Sequence, residues 1–356
     1  MTMIGTQIKI FRPASLLLIA CMITVVGLSS AMGVTRTSNG TGNFSDPQLW
    51  SPAGVPVNGD HVIIDQGHIL LVDINTTVEN IEVRAGGTLE ITPGKMLTVN
   101  GNLTVAGTMD MKGGDVSFAQ GNEFNLLDGS LFIWEPGNNT QTGASLFVNG
   151  IENFHAGSEL VIKKWYNYSN VPLGSLVTGH FGNLTLNSFE NGLIYEWNQN
   201  NEFESHLIKG KLTVGQAWVV LDKSGNISNT TIGSIELNNV NSFLDLHAGD
   251  HPGSFTLQTD SIVNIGGTMT GLHNGNGDVN IIVNNDLVNL GYMEIIYNSG
   301  VPGTGNGNAS LQVDGTLEQF NGDFRGVFNL SSSTAGTFQL EAGEVRIHDG
   351  IFMGLF

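Results

Sequence analysis

The chain has 356 residues and a net charge of −19, with only 13 lysines and arginines, so neither nucleic acid nor an anionic membrane surface is an expected partner. Charged residues make up 13% of the sequence, about half of the ~25% typical of globular proteins, whereas the 40% of hydrophobic residues excludes a disordered chain. The surface must therefore be built largely from Asn, Thr, Ser and the 48 glycines.

Residues 1–31 have the pattern of a secretory signal peptide. Two basic residues, Lys9 and Arg12, precede a largely apolar stretch over residues 14–28, and the small residue Ala31 ends the segment. The apolar stretch is shorter than the ~20 residues of a membrane span. We therefore expect a secreted or surface-exposed protein with no membrane span in the mature chain.

The only cysteine, Cys21, lies inside this segment. Cleavage after Ala31 therefore leaves a mature chain without disulfides, stabilised by packing alone. The residues before Cys21 also resemble a bacterial lipobox, which would make Cys21 a lipid-anchored N-terminus. Ordinary cleavage is favoured, because residues 22–26 continue the apolar core where a lipoprotein usually turns polar.

The next segment predicts the start of a stacked sheet. An irregular, proline-containing stretch precedes two β-rich runs at residues 61–65 and 69–72. The open end of a sheet offers unpaired N–H and C=O groups, so it has to be covered. We expect residues 32–60 to form an N-terminal cap, with Trp50 closing the apolar end of the first coil. Stacking of Trp50 on a glycan is the alternative role of this ring.

Residues 87–114 carry the strongest repeat signal. Strands of four or five residues with alternating apolar positions end at Gly, Pro or Asn, and their anchors are Leu89, Leu97, Leu103 and Met109. Such strands are too short to be ordinary hairpin arms, and no helical segment separates them. The pattern predicts a solenoid in which each turn stacks on the previous one.

Weaker repeats continue to the C-terminus, with Gly or Asn between the strands and no convincing helix of ten or more residues. The predicted strands are 182–186, one that contains Trp197, 211–214, 234–237, 254–257, 261–265, 280–283, 310–313, 337–340 and 344–347. Residues 350–356 are apolar and keep the repeat rhythm without a polar cap. We therefore expect the chain to be a fragment whose solenoid is truncated at this end, and docking of the open end on a partner is the alternative.

The start of the solenoid resembles secreted β-helix surface proteins of Bacteroidetes-type bacteria and the eight-glycine domain. The matching positions are Phe44, Trp50, Val55-Pro56, Gly59-Asp60, Gly67-His68 and Asp73. The resemblance implies an all-β fold, a single right-handed parallel β-helix over residues 61–356, at the outer surface of a Gram-negative bacterium. The type IX secretion sorting domain that such proteins usually carry is absent from this chain. Because Gly67-His68 belongs to the recurrent pattern, a structural hydrogen bond is the expected role of His68.

The densest titratable cluster of the sequence comprises Asp245, His247, Asp250 and His251. Asp245 and His247 would share one face of a strand, and the other two would occupy the following corner. Two carboxylates and two imidazoles are able to bind a metal or to perform acid/base chemistry. Their spacing matches no metal motif, however, and a polar outer face that runs into a solvated turn explains the cluster equally well.

A second candidate site combines three aromatic residues, Trp165, Tyr166 and Tyr168, with the neighbouring Lys163 and Lys164. Clustered rings on an open β-face stack on sugar rings, so this segment is a candidate glycan-binding site. The alternative sends Trp165 into the core and leaves both tyrosines at the edge of a loop.

Together, these features favour a non-enzymatic scaffold or adhesin-like protein of the cell surface or matrix. Its expected partner is an extracellular polysaccharide or another cell-surface component, and no cofactor or metal is expected. The alternative is a β-helical polysaccharide-degrading enzyme, a lyase or a glycoside hydrolase. A cleft with paired carboxylates across two coils would favour the enzyme, whereas a smooth ladder of Asn, Thr and Ser would favour the scaffold.

Overall fold

The structure is a computed structural model that describes residues 33–137, 151–164, 170–172, 180–187, 194–196, 208–222, 229–248, 253–274, 276–298, 307–329 and 337–355. In these ranges the chain forms short β-strands, one 3-10 turn at Pro47–Leu49 and no α-helix. Accordingly, none of the described segments has the helical length and apolar character needed to cross a bilayer.

In the N-terminal half, each strand has two to four residues, and most alternate buried with more exposed positions. Its strands are β1 Thr35–Ser38, β2 Gly42–Asn43, β3 Trp50–Ser51, β4 His61–Ile64, β5 Ile69–Val72, β6 Thr76–Val78, β7 Asn80–Val83, β8 Thr88–Ile91, β9 Met96–Val99, β10 Leu103–Val105, β11 Thr108–Asp110, β12 Asp115–Phe118, β13 Glu123–Leu126, β14 Leu131–Trp134, β15 Ile151–Phe154 and β16 Glu159–Ile162. The repeat predicted over residues 87–114 is confirmed.

In the C-terminal half, several strands are longer, up to 11 residues. They are β17 Asn170–Pro172, β18 Asn183–Leu186, β19 Ile194–Glu196, β20 Ile208–Val214, β21 Ala217–Asp222, β22 Asn229–Leu237, β23 Ser242–Ala248, β24 Ser254–Asn264, β25 Thr268–His273, β26 Asp278–Val283, β27 Leu287–Asn289, β28 Tyr292–Asn298, β29 Ala309–Gln319, β30 Asp323–Asn329, β31 Phe338–Ile347 and β32 Ile351–Leu355. Most of them pair with strands of both the preceding and the following coil, whereas β17, β31 and β32 pair on one side only.

The strands stack as a parallel β-solenoid of about 10 turns, which confirms the predicted fold class. Early coils contribute one strand each to sheet 1 (β15-β13-β10-β7-β4-β1-β3), sheet 2 and sheet 3 (β12-β9-β6). In their described residues, later coils contribute strands to sheet 2 (β2-β5-β8-β11-β14-β16-β18-β20-β22-β24-β26-β29-β27, with β31 paired to β29) and to sheet 4 (β17-β19-β21-β23-β25-β28-β30-β32). Among the described strands, only β1 and β3 pair antiparallel. The solenoid therefore changes from three sheets to two.

The core is a column of apolar side chains inside the coils. Along sheet 2, Leu70, Leu89, Met109 and Phe132 occupy paired positions of successive strands, and each is completely buried. Aromatic rings fill the interior near the change of cross-section; Phe124, for example, lies 4.9 Å from Phe132 in an edge-on arrangement. Each coil buries its apolar positions against its neighbours, so stability comes from contacts along the stack.

Glycines allow the tight corners between strands. Gly86 has a φ of 77°, in the left-handed region that side chains with a Cβ rarely adopt. Gly107 is required for a different reason, since a Cβ there would lie 2.2 Å from the carbonyl oxygen of Gly87 on the preceding coil. Corners of successive coils thus approach as closely as their backbones permit.

A ladder of buried amides runs through the later coils. The Nδ2 of Asn264 donates to Oδ1 of Asn289 at 2.9 Å, and Nδ2 of Asn289 donates to Oε1 of Gln319 at 2.8 Å. All three side chains are fully buried. This amide ladder (Asn264, Asn289 and Gln319) ties three coils together where an apolar side chain would leave backbone groups unpaired.

Asp60 organises the segment that covers the first coil. Its buried carboxylate accepts hydrogen bonds from the backbone N–H groups of Val34 and Val57, at 2.8 and 3.1 Å, and from Nε of Arg36 at 2.7 Å. The aspartate of the Gly59-Asp60 pair therefore fixes the path of the chain into β1 and β4.

Two other residues of the recurrent pattern have structural contacts. Trp50 is 2% exposed, packs edge-on against Phe44 with ring centroids 4.9 Å apart, and donates from Nε1 to the Phe44 carbonyl at 3.0 Å. Nδ1 of His68 lies 2.8 Å from Oγ of Ser38, which is the structural hydrogen bond expected of this residue. The ring of Trp50 thus belongs to the core, and its predicted glycan-stacking alternative is not available to a buried side chain.

Candidate functional site

The outer face of sheet 4 carries a row of polar side chains on successive coils. Asp245 on β23 pairs in register with Thr270 on β25, Thr270 with Glu294 on β28, and Glu294 with Arg325 on β30. Because the register of a parallel stack superposes equivalent positions, residues far apart in sequence share one row. The two carboxyl groups thus lie two coils apart, with the small side chain of Thr270 between them.

Asp245 is held from two sides. Its side chain is 7% exposed, and its Oδ2 accepts a hydrogen bond from Nε1 of Trp218 at 2.9 Å. Nδ1 of His273 lies 3.1 Å from the same oxygen. Both contacts engage Oδ2, and neither of them engages Oδ1. The two rings therefore fix the orientation of a carboxylate that remains accessible from outside the sheet.

Glu294 has a different environment. Its side chain is 13% exposed, and Nη1 of Arg325 lies 3.3 Å from its Oε1, while Nη2 of Arg325 lies 2.6 Å from Oδ2 of Asp323. Burial raises the pKa of Glu294, an effect that Arg325 reduces, Asp323 increases and His273 reduces slightly. Arg325 is shared between two carboxylates, so it only partly offsets the loss of solvation of Glu294.

Aromatic rings enclose this row as a groove of about 390 Å³. The rings of Trp218 and Phe243 lie side by side with centroids 6.2 Å apart, and His273 meets Tyr297 edge-on at 5.0 Å. We call this the sheet 4 groove, and its lining residues are Trp218, Phe243, Asp245, Thr268, Thr270, His273, Glu294 and Tyr297. The groove combines apolar faces with oriented carboxyl groups, as ligand sites generally do.

The cluster predicted around residue 245 is divided by the structure. Asp245 and His247 both lie on β23, but they do not share an outer face as predicted: Asp245 lines the groove, whereas His247 is completely buried. Nδ1 of His247 lies 2.7 Å from Oδ2 of Asp222, and both side chains are completely buried. Asp250 and His251 lie outside the described residues. Among the residues that are described, no three His, Cys, Asp or Glu side chains are placed to hold a metal ion.

His247 has a role in packing. Its ring stacks on Phe255 with centroids 6.3 Å apart, and its Nε2 has no hydrogen-bond partner. The Asp222–His247 pair lies beside the sheet 4 groove in the strand register but does not line it. Of the predicted cluster, only Asp245 contributes to the groove.

The other candidate site, Trp165, Tyr166 and Tyr168, lies outside the described residues, so it stays a prediction. The sequence analysis did not identify Trp218, His273 or Glu294 as site residues. Each lies 27 to 49 positions from Asp245, and only the lengths of the intervening coils bring them together. None of these three residues lies in a strand predicted from the sequence, so no local pattern indicated that they would lie beside Asp245.

Comparisons with protein-family models, curated proteins and solved structures find no match to this chain. The β-solenoid fold occurs in enzymes and in non-enzymes, so the fold alone does not decide the function. The function has to be argued from the sheet 4 groove itself.

Proposed function

We propose that the protein is a secreted, rod-like β-solenoid scaffold that binds a neutral polysaccharide in the sheet 4 groove. The observation that carries this proposal is the juxtaposition of the rings of Trp218, Phe243 and Tyr297 with the carboxyl groups of Asp245 and Glu294. The proposed glycan contact thus lies on sheet 4. The aromatic cluster predicted from the sequence becomes a second place to test.

The lining of the groove matches the two surfaces of a sugar ring. One face of a pyranose presents C–H groups, which pack on aromatic rings, and its rim presents hydroxyl groups, which donate to carboxylates. Trp218 combines the two functions, because its ring lines the groove while its Nε1 holds Oδ2 of Asp245 at 2.9 Å. The aromatic surface is therefore fixed relative to the acceptors that would orient the hydroxyl groups.

The charges favour an uncharged ligand. Asp245, Glu294 and the adjacent Asp323 are acidic, and the cation next to them, Arg325, already contacts two of these carboxylates. The whole chain has a net charge of −19. An acidic polysaccharide would meet repulsion both at long range and in the groove, whereas a neutral chain would not.

The repeat geometry suits an extended ligand. Neighbouring coils are about 4.8 Å apart, so a polymer lying along the solenoid axis meets an equivalent row of backbone positions at each coil. The groove spans β21, β23, β25 and β28, and it can contact several consecutive units. The residues that line the groove lie on hydrogen-bonded strands, so binding would require little additional ordering of the protein.

Affinity measurements on defined glycans test the proposal. We expect binding to one or more neutral polysaccharides, and a loss of about tenfold or more in affinity in Trp218→Ala, since tenfold corresponds to ~1.4 kcal/mol of lost contact. Trp218→Phe keeps a ring but loses the indole donor, and it should bind with intermediate affinity. Tyr166→Ala combined with Tyr168→Ala tests the competing aromatic cluster, and this double variant should bind like the wild type because the proposed contact lies in the sheet 4 groove.

Two results would refute the proposed site. If the tyrosine double variant lost binding and Trp218→Ala retained it, the glycan contact would lie at the predicted aromatic cluster. If no neutral polysaccharide bound the wild type at millimolar concentration of sugar units, the binding function itself would be wrong.

Export has a separate test. The basic, apolar and small-residue pattern of residues 1–31 supports secretion. Mass spectrometry of the mature N-terminus from cells should show cleavage after Ala31; a diacylated Cys21 would instead indicate a lipid anchor, and an intact Met1 would contradict export.

A further inference from the structure

We infer that the sheet 4 groove hydrolyses the glycosidic bond that it binds, with Glu294 as the general acid and Asp245 as the general base. This inference rests on the proposed binding of a neutral polysaccharide and adds a reaction to it. It rests on three features of the molecule taken together: an aromatic groove, two carboxyl groups that face it, and the contrast between the surroundings of those two groups.

The first argument is the spacing of the two carboxyl groups. Asp245 and Glu294 occupy the same row, two coils apart, with Thr270 between them. With strands about 4.8 Å apart, their Cα atoms are separated by roughly 9–10 Å. Glycosidases that invert the anomeric centre hold their carboxyl groups ~6.5–9.5 Å apart to admit a water molecule, whereas retaining enzymes hold them ~5–5.5 Å apart. Side chains of one row in a parallel stack project in the same direction, so this Cα separation is far from the retaining spacing and closest to the upper end of the inverting range.

The second argument is the environment of Glu294. A general acid has to be protonated before the reaction and ionised after it. Burial favours the protonated form before the reaction, and Nη1 of Arg325, 3.3 Å from Oε1, stabilises the carboxylate that remains after proton transfer. The surroundings of Glu294 therefore suit both its protonated form before the reaction and its ionised form after the reaction.

The third argument is the orientation of Asp245. Trp218 Nε1 and His273 Nδ1 both contact Oδ2, at 2.9 and 3.1 Å, and these contacts hold the carboxylate in one position. Oδ1 is the atom that neither ring engages, so it is the acceptor for a proton from water. Trp218 thus contributes to the aromatic wall and also positions the base.

The reaction balances with water as its only co-reactant. The glycosidic C–O bond breaks, and the departing oxygen takes the proton of the Glu294 carboxylic acid. The oxygen of water bonds to the anomeric carbon from the opposite face, and its proton passes to Asp245. Solvent then removes the proton from Asp245 and returns one to Glu294, which restores the starting state.

The test measures new reducing ends on a panel of neutral polysaccharides: laminarin, xylan, mannan, galactan and dextran. We expect the wild type to cleave at least one member, and Glu294→Gln and Asp245→Asn each to lower the rate by about 10²–10⁴-fold. The matched control is Glu318→Gln on sheet 2. Glu318 also faces outward and pairs with an arginine, Arg346 at 3.2 Å, that contacts a second carboxylate. This control should retain the wild-type rate.

A second readout separates the two roles from a simple loss of folding. An aryl glycoside with a dinitrophenolate leaving group needs no proton on that group, so Glu294→Gln should regain most of its activity on such a substrate and Asp245→Asn should not. Proton NMR of the first product should show the inverted anomer. Melting temperatures of both variants within a few degrees of the wild type would establish that they fold.

The outcomes distinguish this inference from the function on which it rests. Polysaccharide binding without any release of reducing ends would overturn hydrolysis and leave the binding scaffold in place. Hydrolysis that persists in both variants, or that yields the retained anomer, would overturn the assignment of Glu294 and Asp245. Absence of both binding and hydrolysis across the panel would overturn the two proposals together.

Discussion

Replacing Asp60 by asparagine should weaken the N-terminal cap strongly. In the structure, Oδ1 of Asp60 accepts from the Val34 N–H, and Oδ2 accepts from Arg36 Nε and the Val57 N–H. The side chain is only 4% exposed. Asparagine has one acceptor oxygen, so it keeps one side of this arrangement and turns an NH₂ group towards a donor on the other side.

The magnitude follows from the individual contacts. If the amide oxygen takes the place of Oδ2, the Val34 N–H loses its acceptor, and an unsatisfied buried donor costs about 1–3 kcal/mol. The two bonds that remain lose the charge of their acceptor, and charge-assisted bonds are roughly twice as strong as neutral ones, which adds about 1–2 kcal/mol. We therefore expect Asp60→Asn to lower the free energy of unfolding by about 2–5 kcal/mol.

Asp73→Asn is the matched control. Asp73 accepts the backbone N–H of Ser45 at 3.0 Å and the hydroxyl of Ser45 at 2.6 Å. A hydroxyl can reverse its role and accept from the new NH₂ group, whereas a backbone N–H cannot. Asp73→Asn should therefore lower the free energy of unfolding by less than about 1.5 kcal/mol. Unlike Asp60→Asn, it leaves no arginine of the described residues without its carboxylate partner.

Urea unfolding followed by circular dichroism, at pH 7 and at roughly pH 2, measures both effects. Burial acts to raise the pKa of Asp60, but the hydrogen bonds from Arg36, Val34 and Val57 together lower it below 3.8. The ionised group therefore stabilises the fold above pH 3.8, and this stabilisation is lost as the pH falls through the lowered folded-state value. The difference in the free energy of unfolding between the wild type and Asp60→Asn should therefore be smaller in acid than at pH 7. The reasoning fails if Asp60→Asn costs no more than the control at pH 7, or if this difference is the same at both pH values.

Three further substitutions test other features of the solenoid. Because burial raises the pKa of Glu294, the wild type loses stability as the pH rises from 4.5 through the raised folded-state value. Glu294→Gln does not share this loss, so its melting temperature relative to the wild type should increase across that window, and a constant difference would contradict the raised pKa. Asn289→Ala interrupts the amide ladder and should lower the free energy of unfolding, measured in urea, by about 2–4 kcal/mol. Its control, Asn280→Ala on the half-buried outer face, should lower it by less than about 1 kcal/mol. Equal losses would show that the buried ladder contributes no more than an outer-face amide. Gly107→Ala places a Cβ 2.2 Å from a backbone oxygen and should lower the free energy of unfolding by at least about 1–3 kcal/mol. Its control is Gly354→Ala, where a Cβ meets nothing within 4 Å, and this variant should unfold within about 0.5 kcal/mol of the wild type. Equal unfolding energies of the two variants would refute the close approach of the corners.

The parallel stack could be predicted from the sequence because its local signal is strong. Over residues 87–114, a two-residue alternation with a glycine, proline or asparagine at each break specifies both the strands and the corners, and the structure has β8 to β11 there. The change from three sheets to two could not be predicted in this way. Alternation indicates which side chains are buried but not to which sheet a strand belongs. A strand such as β24 (Ser254–Asn264) pairs with both β26 and β27, so one continuous strand replaces a strand–corner–strand unit.

The candidate site was predicted only in part, for a related reason. The alternation on β23 predicted one shared face for Asp245 and His247, and this prediction is wrong, because Asp245 lines the groove whereas His247 is completely buried. Which side chains lie beside Asp245 depends on the number of residues in each coil. Paired positions on sheet 2 are 19 residues apart for Leu70 and Leu89 but 30 apart for Leu287 and Leu317. With coils of variable length, neither the Trp218 donor nor the Glu294 partner can be aligned with Asp245 from one sequence.

The same geometry explains how a chain with a single cysteine and, in its described residues, no α-helix can hold two carboxyl groups at a fixed distance. In a globular enzyme, the separation of a carboxyl pair depends on the packing of loops and side chains. Here it is set by two steps of backbone hydrogen bonding, from β23 to β25 and from β25 to β28, each about 4.8 Å long. Thr270, 4% exposed, occupies the intermediate position with a side chain small enough to leave the groove open. The proposed scaffold and the proposed site are therefore aspects of one structure, because rigid stacking of the coils would also preorganise the groove for a ligand.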